Sequence, residues 1–536
     1  MNAVAEGQVA ARLRVQGLSV RIAGRLVVDD VSFAVGPGHC LALLGESGAG
    51  KSLTARALLG LLPDGAESDA EVLDIDGVDA SQLGDRTWRA LRGARIALVS
   101  QDALVSLDPL RRVGAEVAEP LEIHRRGSGL SRGARSERVR ALLAAVAVPD
   151  PARRARQYPH ELSGGLRQRA LIASALAASP AVLVADEPTT ALDATVQARV
   201  LDLLRQIADR GTAVVLVSHD IGAVRRIADD VVVMKDGAVV ERGTAEQVLT
   251  APAEDYTKEL VQAGVLAPRA GKAVADGILL RAAGVGKSFD RPVLQNVSFV
   301  LRRGTTLGVV GESGSGKTTL ARILVGVERA DAGRLERSGP VPRVQLVPQN
   351  SLGAFDPRWS IGRSLREALE AGGVRRPLRA DRVAALLAEV GLDPELAGRR
   401  PIQLSGGQRQ RAAIARALAA DPEVLVLDEP VSALDATVRA RILGLLDRLQ
   451  RDRGLTMVLI SHDLDVVAAV ADDVLVLRDG AVVEQGRVAE IFSAPRHPFT
   501  RALIEAGVGA GRRRSSVADV DPGRGGQDAG EQLDLP

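Results

Sequence analysis

The sequence predicts an α/β protein made of two tandem copies of one domain, each built on a parallel sheet covered by helices. Three observations carry this reading. Short segments recur in the same order in both halves of the 536 residues. Wholly apolar runs of four or five residues precede most of them, at 40–44, 182–185 and 213–217 and again at 307–310, 424–427 and 457–460. Helical stretches such as 53–62 and 168–178 lie between. Runs apolar on both faces suit central strands of a covered parallel sheet, and strands alternating with helices indicate an α/β domain.

The duplication is read directly. Residues 45–52 are GESGAGKS and 311–318 are GESGSGKT; 162–169 are LSGGLRQR and 404–411 are LSGGQRQR. Residues 185–193 are ADEPTTALD and 427–435 are LDEPVSALD, and both halves carry Ser-His-Asp, at 218–220 and 461–463. The glycine loops are 266 positions apart, and the later segments 242 or 243, so the second copy is about 24 residues shorter in its first part. Such a period is too long for a solenoid repeat, so each copy is a full domain. The expected boundaries are 1–263 and 278–507, with a linker at 264–277 rich in Ala, Gly and Pro and a tail at 508–536 expected to be disordered.

Composition narrows the class. With 46% hydrophobic and 25% charged residues the chain is globular. No apolar stretch reaches the roughly 18 residues of a membrane helix, and the start lacks a signal-peptide pattern. The chain therefore reads as soluble when isolated. A net charge of +2 and 2% aromatic residues argue against a dedicated nucleic-acid binder, and no nucleic acid partner is expected. The single cysteine, Cys40, excludes an internal disulfide, a Cys-based zinc site and a cysteine-ligated iron–sulfur cluster. Among 69 basic residues only six are lysines, and two of those, Lys51 and Lys317, sit in the glycine-rich octapeptides.

Those octapeptides have the form GxxxxGK[ST]. Glycines at such spacing let successive backbone N–H groups turn onto phosphate oxygens, and the following helix offers its positive end. The first loop comprises Gly45, Glu46, Ser47, Gly48, Ala49, Gly50, Lys51 and Ser52, with Leu53 after it. The second comprises Gly311, Glu312, Ser313, Gly314, Ser315, Gly316, Lys317 and Thr318, with Thr319 after it. Each lysine is expected to reach the β- and γ-phosphates of a bound nucleotide, and Ser52 and Thr318 to ligate Mg²⁺. Arginine is too broad and planar for that point-charge role, which explains why lysine is kept here.

At the ends of apolar strands, Asp186 and Asp428 can hold Mg²⁺ through water, and Glu187 and Glu429 can polarise an attacking water. The alternative is an acidic helix start. His219 and His462 also follow strands and can donate to a γ-phosphate; the alternative is a structural histidine. Gln101 and Gln349 are candidates for metal and water contact, or ordinary turn residues. Ser163, Gly164 and Gly165, like Ser405, Gly406 and Gly407, precede a helix and form an anion site or a plain N-cap.

The ordered set of glycine loop, Gln, LSGGxRQR, DEP, ALD and SHD resembles the nucleotide-binding domains of ATP-binding cassette (ABC) proteins, over about 490 residues. The resemblance implies two tandem P-loop NTPase domains, each with a core parallel sheet, an antiparallel β-subdomain and a helical subdomain. It implies ATP hydrolysis at two sites formed by cassettes packed head to tail. One site would combine Lys51, Ser52, Gln101, Asp186, Glu187 and His219 with Ser405 and Gly407. The other would combine Lys317, Thr318, Gln349, Asp428, Glu429 and His462 with Ser163 and Gly165, and Asp193 and Asp435 would link them. In the family an aromatic residue stacks on adenine; Phe289 fits that place in the second half, whereas the first half has Ile22, implying a weaker adenine contact. Gln349 follows Lys317 by 32 positions against 50 from Lys51 to Gln101, implying a trimmed β-subdomain.

Residues 252–260, PAEDYTKEL, and 495–503, PRHPFTRAL, resemble the PxHPYTxxL stretch of ATPases that energise peptide and nickel importers. That narrower resemblance implies two transmembrane permease subunits, docked through 104–109 and 352–357, and an extracytoplasmic solute-binding protein. The chain would lie peripherally at the cytoplasmic face of the membrane. Peptide is the expected substrate, with nickel, a metallophore or another small solute as alternatives. A tandem-cassette translation factor acting on the ribosome is the alternative from a different class; it would carry a long charged helical linker, which 264–277 is not.

Overall fold

The computed structural model describes residues 11–101, 106–124, 131–190, 192, 194–264, 266, 269, 277–312, 314–337, 342–432 and 434–508, with side chains described to residue 505. Each half is built on the same five parallel strands. In the first half the order is Ile96–Val99, Val182–Asp186, Ala213–Ser218, Cys40–Leu44, Asp230–Lys235, with Ala238–Thr244 antiparallel at the end. In the second it is Val344–Val347, Val424–Asp428, Thr456–Ile460, Thr306–Gly311, Asp473–Arg478, with Ala481–Arg487 antiparallel. Three strands of the first half, 40–44, 182–186 and 213–218, are buried at every residue. That continuous burial is why they read as unbroken apolar runs, since helices and the β-subdomain cover both faces.

In a parallel sheet all carboxyl ends lie on one edge, and ligands bind in the crevice there. The glycine loop, the Asp-Glu pair, the Ser-His-Asp segment and the Gln loop each leave one of these strands at that edge. The residues marked by chemistry in the sequence are therefore neighbours because of topology, despite separations of up to about 170 positions.

The halves differ where the spacing predicted. The first has an antiparallel subdomain of Leu13–Ile22, Arg25–Val35, Ala66–Asp69, Val72–Ile75 and Val78–Asp79, followed by helix Asp85–Leu91. The second has only Ile278–Ser288, Pro292–Arg302 and Ala332–Arg337. The missing hairpin and helix account for the shorter path to Gln349. A helical subdomain packs on each core: Val113–His124, Arg132–Ala145 and Gly164–Leu176 in the first half, and Ile361–Ala371, Arg379–Glu389 and Gly406–Leu418 in the second.

The halves meet in a reciprocal way. Helix Asp255–Gly264 of the first packs on helix Ala436–Arg453 of the second, and helix Pro498–Val508 of the second packs on helix Ala194–Asp209 of the first. Within the stretch read as a linker, Arg269 packs, partly buried, on the second half. Its amide donates to Ala468 O at 2.9 Å, and its guanidinium donates to Val470 O and to Gln450 Oε1 at 2.5 Å, with Asp447 at 3.2 Å and Asp472 at 3.8 Å. Gln450 in turn donates to Gly304 O and Thr306 Oγ1. Removing one member of such a network leaves buried acceptors unpaired. Arg269→Ala is therefore expected to destabilise the second half by about 3 kcal/mol, measured as a lower urea midpoint. An unchanged midpoint would show the network to be redundant.

Candidate nucleotide sites

Each glycine loop closes tightly around its own lysine. Lys51 Nζ donates to Gly45 O and Glu46 O, both at 2.8 Å, and Lys317 Nζ donates to Gly311 O and Glu312 O at the same distance. Both lysines are buried. Burial pulls the Lys51 ammonium below the usual lysine range, against the opposing charges of Glu187 and Asp186. Gly48 and Gly50 adopt φ of 89° and 92°, and Gly314 and Gly316 of 83° and 98°, turns that L side chains rarely make. A Cβ on Gly45 would lie 2.3 Å from Met234 O, and one on Gly311 2.2 Å from Leu477 O. The loop thus needs glycine to sit against the neighbouring strand. Ser315 Oγ is buried with no hydrogen-bond partner among the described residues. Ser47, Ala49, Leu53 and Thr319 lie in the loops or first helical turns, and Ser313 is outside the described residues.

The carboxylates come next. Ser52 Oγ donates to Asp186 Oδ1 at 2.9 Å, and Thr318 hydrogen-bonds Asp428. Burial raises both aspartates above the usual carboxylate range, more than these bonds lower them. Glu187 and Glu429 move the other way. Burial would raise them, but the bonds and charges of His219 and His462 hold them below the ordinary value. Glu187 Oε1 lies 3.0 Å from His219 Nδ1, and its Oε2 accepts from Gln101 Nε2 at 2.7 Å and from Thr190 Oγ1 at 3.1 Å. Glu429 Oε1 lies 3.1 Å from His462 Nδ1, and its Oε2 accepts from Gln349 Nε2 at 2.6 Å. Gln349 occupies the same place as Gln101 despite the shortened approach to it.

Sequence reasoning missed one feature of these glutamates. Glu187 and Glu429 have φ of 46° and 48°, left-handed backbone that costs a non-glycine residue on the order of 1–3 kcal/mol. Each is pinned there by its amide, which donates to Val217 O at 3.0 Å or to Ile460 O at 2.9 Å on the next strand. The sharp turn sends the aspartate toward the glycine-loop hydroxyl and the glutamate toward the Gln and His. Nothing in a DEP tripeptide reveals that turn.

The residues present fit Mg²⁺. A hydroxyl, a buried carboxylate and an amide oxygen form an all-oxygen donor set, and Asp186 and Asp428, raised by burial, gain from a nearby cation. No group of three or more His, Cys, Asp or Glu that could hold a metal occurs among the described residues. Mg²⁺ needs none where a substrate's phosphates complete its shell.

Ser163 and Ser405 are the N-caps of helices Gly164–Leu176 and Gly406–Leu418; Ser405 Oγ accepts from Gln408 N at 3.3 Å. The second glycine has a packing reason of its own. A Cβ on Gly165 would lie 2.3 Å from Val196 Cγ1, and one on Gly407 2.4 Å from Val438 Cγ1. A cavity of about 720 Å³ at the second site is lined by Lys317, Thr318, Gln349 and Glu429 with Gly406 and Arg409 of the same half, and by Thr190 and Leu192 of the first half. Ser163 and Gly165 are not among its lining residues. A second cavity, of about 170 Å³, lies between the halves and brings Glu187, His219 and Asp220 to His462, Asp463 and Asp465. Asp435 acts electrostatically on Lys51 across the interface, and Asp193 is outside the described residues. Phe289 is exposed at the tip of the hairpin whose Arg291 and Val293 line the larger cavity, with Lys287 Nζ 5.3 Å from its ring. Ile22 ends the matching strand of the first half, partly buried.

Comparison with known proteins agrees with this geometry. The family model described as "ABC transporter" matches residues 28–190 and 294–432, more than half the chain. A second model, "Oligopeptide/dipeptide transporter, C-terminal region", matches 483–522. The chain is 43% identical to the "Peptidoglycan transport ATP-binding protein YejF" of Agrobacterium fabrum, over 92% of this chain and 96% of that one. It is 38% identical to the "Glutathione import ATP-binding protein GsiA" of Salmonella choleraesuis, over 89% and 86%. Among solved structures, the "RNase-L Inhibitor" shares the fold with a TM-score of 0.61 at 20% identity, over 90% of this chain and 94% of that one. The chain belongs to the ABC transporter family, as a two-cassette ATPase subunit that carries the oligopeptide/dipeptide transporter C-terminal region.

Proposed function

We propose that the chain energises uptake of peptides or peptide-like solutes through two separate permease subunits, supplied by an extracytoplasmic solute-binding protein. The observation that carries this is the match of 483–522 to the oligopeptide/dipeptide transporter region. The relatives named for peptidoglycan transport and glutathione import favour solutes containing amide-linked amino acids over nickel or a metallophore. The likeness to the RNase-L Inhibitor, at 20% identity, reaches only the fold and lends nothing to a ribosomal role. No helix among the described residues is long and apolar enough to cross a membrane.

Lys51 and Lys317 would hold the β- and γ-phosphates, with loop N–H groups around them. Ser52, Asp186 and Gln101, and likewise Thr318, Asp428 and Gln349, would hold Mg²⁺, which when bound neutralises phosphate charge. Glu187 and Glu429 would take a proton from the attacking water, each oriented by its histidine. In the closed, head-to-tail arrangement Ser405 and Gly407 would complete the first site and Ser163 and Gly165 the second, with Asp193 and Asp435 between them. ATP would favour closure, and its hydrolysis would release it.

The permeases would dock beside the Gln loops at the cytoplasmic face of the membrane. Leu110 is 85% exposed there in the first half, and Leu352 is exposed in the second. Leu107 and Phe355, in the segments expected to dock, are instead buried in the cores. A groove of about 560 Å³ beside the second Gln loop is lined by Phe355, Trp359, Glu367 and Arg416 and suits a short amphipathic helix. The test is co-purification in ATP of the chain carrying Glu187→Gln and Glu429→Gln, after gentle solubilisation. Two multi-span membrane proteins are expected to remain bound; ribosomes in their place would overturn the importer reading.

A further inference from the structure

The peptide group joining Gly45 to Glu46 is held from both ends. Its carbonyl accepts from Lys51 Nζ at 2.8 Å, and its amide donates to Tyr256 Oη at 3.2 Å. Tyr256 is remote in sequence, on helix Asp255–Gly264, and Lys235 Nζ lies 4.7 Å from its ring centroid. The same helix packs on helix Ala436–Arg453 of the second half, whose N-cap is Asp435. The Asp435 carboxylate acts on both Tyr256 and Lys51. Tyr256 thus stands where the first glycine loop meets the opposite cassette.

The second half repeats this arrangement without the hydroxyl group. Glu484 accepts from the amides of Arg496 and His497 as Glu241 accepts from those of Ala253 and Glu254, so the two helices start alike. Arg478 lies over the Phe499 ring at 5.0 Å, as Lys235 lies over Tyr256. Lys317 holds the Gly311 carbonyl as Lys51 holds that of Gly45. The residue in the place of Tyr256 is Phe499, which brings no oxygen to the amide of Glu312.

We propose that Tyr256 is a positioning residue for the first ATP site, fixing the Gly45–Glu46 peptide and through it Lys51, so that the two sites differ in nucleotide affinity. This rests on the reading that Lys51 binds the phosphates of ATP. A peptide clamped before the ligand arrives loses less freedom when it binds, which strengthens binding without a new contact.

Equilibrium titration of the full chain with trinitrophenyl-ATP and Mg²⁺ tests it. In a Lys317→Ala background, which confines binding to the first site, Tyr256→Phe is expected to weaken binding about three- to tenfold, the range for one lost neutral hydrogen bond. Thermal stability is expected to fall only slightly, since one intramolecular hydrogen bond is lost. In a Lys51→Ala background, Phe499→Tyr is expected to tighten binding at the second site. An unchanged Kd for Tyr256→Phe, with or without a lower Tm, would overturn the proposal by leaving the tyrosine a purely structural role. Full binding by the doubly substituted Lys51→Ala, Lys317→Ala chain would overturn the phosphate-binding reading and this proposal together.

Discussion

Replacing Glu187 and Glu429 together by glutamine is expected to lower ATP hydrolysis by about 10²- to 10⁴-fold, the usual contribution of a general base, while ATP stays bound. Glutamine keeps the volume, and the amides of Gln101 and Gln349 still find an oxygen where they now donate at 2.7 and 2.6 Å. What is lost is the charge proposed to accept a proton. The histidine reports this separately. Burial lowers the His462 imidazole, but the bond and charge of Glu429 more than compensate and hold it above the usual histidine value. With a neutral glutamine the main raising influence is gone, leaving burial and the Lys317 charge against Asp463 alone, so the His462 titration, followed by NMR, is expected to move to lower pH. Phosphate release gives the rate, and filter retention of labelled ATP gives the binding. Turnover within about fivefold of the unsubstituted chain would remove both glutamates from the role of base.

How much of this was readable beforehand depended on whether a residue's reason was chemical or steric. Lys51, Ser52, Asp186 and His219 stood out because their chemistry is uncommon and repeats in register, and the structure places them along one sheet edge. The trimmed β-subdomain was legible as a change of spacing, because deleting a hairpin and a helix alters length without altering motifs. The left-handed turn at Glu187 and Glu429 was hidden, since backbone torsion leaves no mark on a non-glycine residue. Gly165 and Gly407 were read as part of an anion site or a plain N-cap, while their contact with Val196 and Val438 was not legible, because it joins elements distant in the chain. Leu107 and Phe355 lie in the segments 104–109 and 352–357 expected to dock on permeases, yet both complete the hydrophobic core. Tyr256 looked like one letter of a helix motif, and its bond to Glu46 spans 210 positions.

Lys317→Ala is the change that best separates two working sites from one. The second site has the same parts as the first: its lysine on two loop carbonyls, its aspartate bonded to the loop hydroxyl, and its glutamate bridged by Gln349 and His462. Removing the lysine would delete the charge-assisted phosphate contact proposed for it, of about 1.5–3 kcal/mol, or roughly 10- to 150-fold in affinity at that site. Independent sites would then leave about half of the turnover at saturating ATP, supplied by the first site. A larger loss is expected, because the cassettes meet at the edges that carry these residues. One cavity is lined by Glu187 and His219 from the first half and by His462 and Asp463 from the second. A conformation favoured by ATP at both sites is populated far less when one is empty, and that penalty falls on both. Phosphate release is thus expected to drop at least tenfold in Lys317→Ala and equally in Lys51→Ala, with Lys317→Arg no better because a planar guanidinium does not replace a point charge. Unimpaired turnover in Lys317→Ala would show the second site to be degenerate, and a fall to one half would show two sites working without coupling.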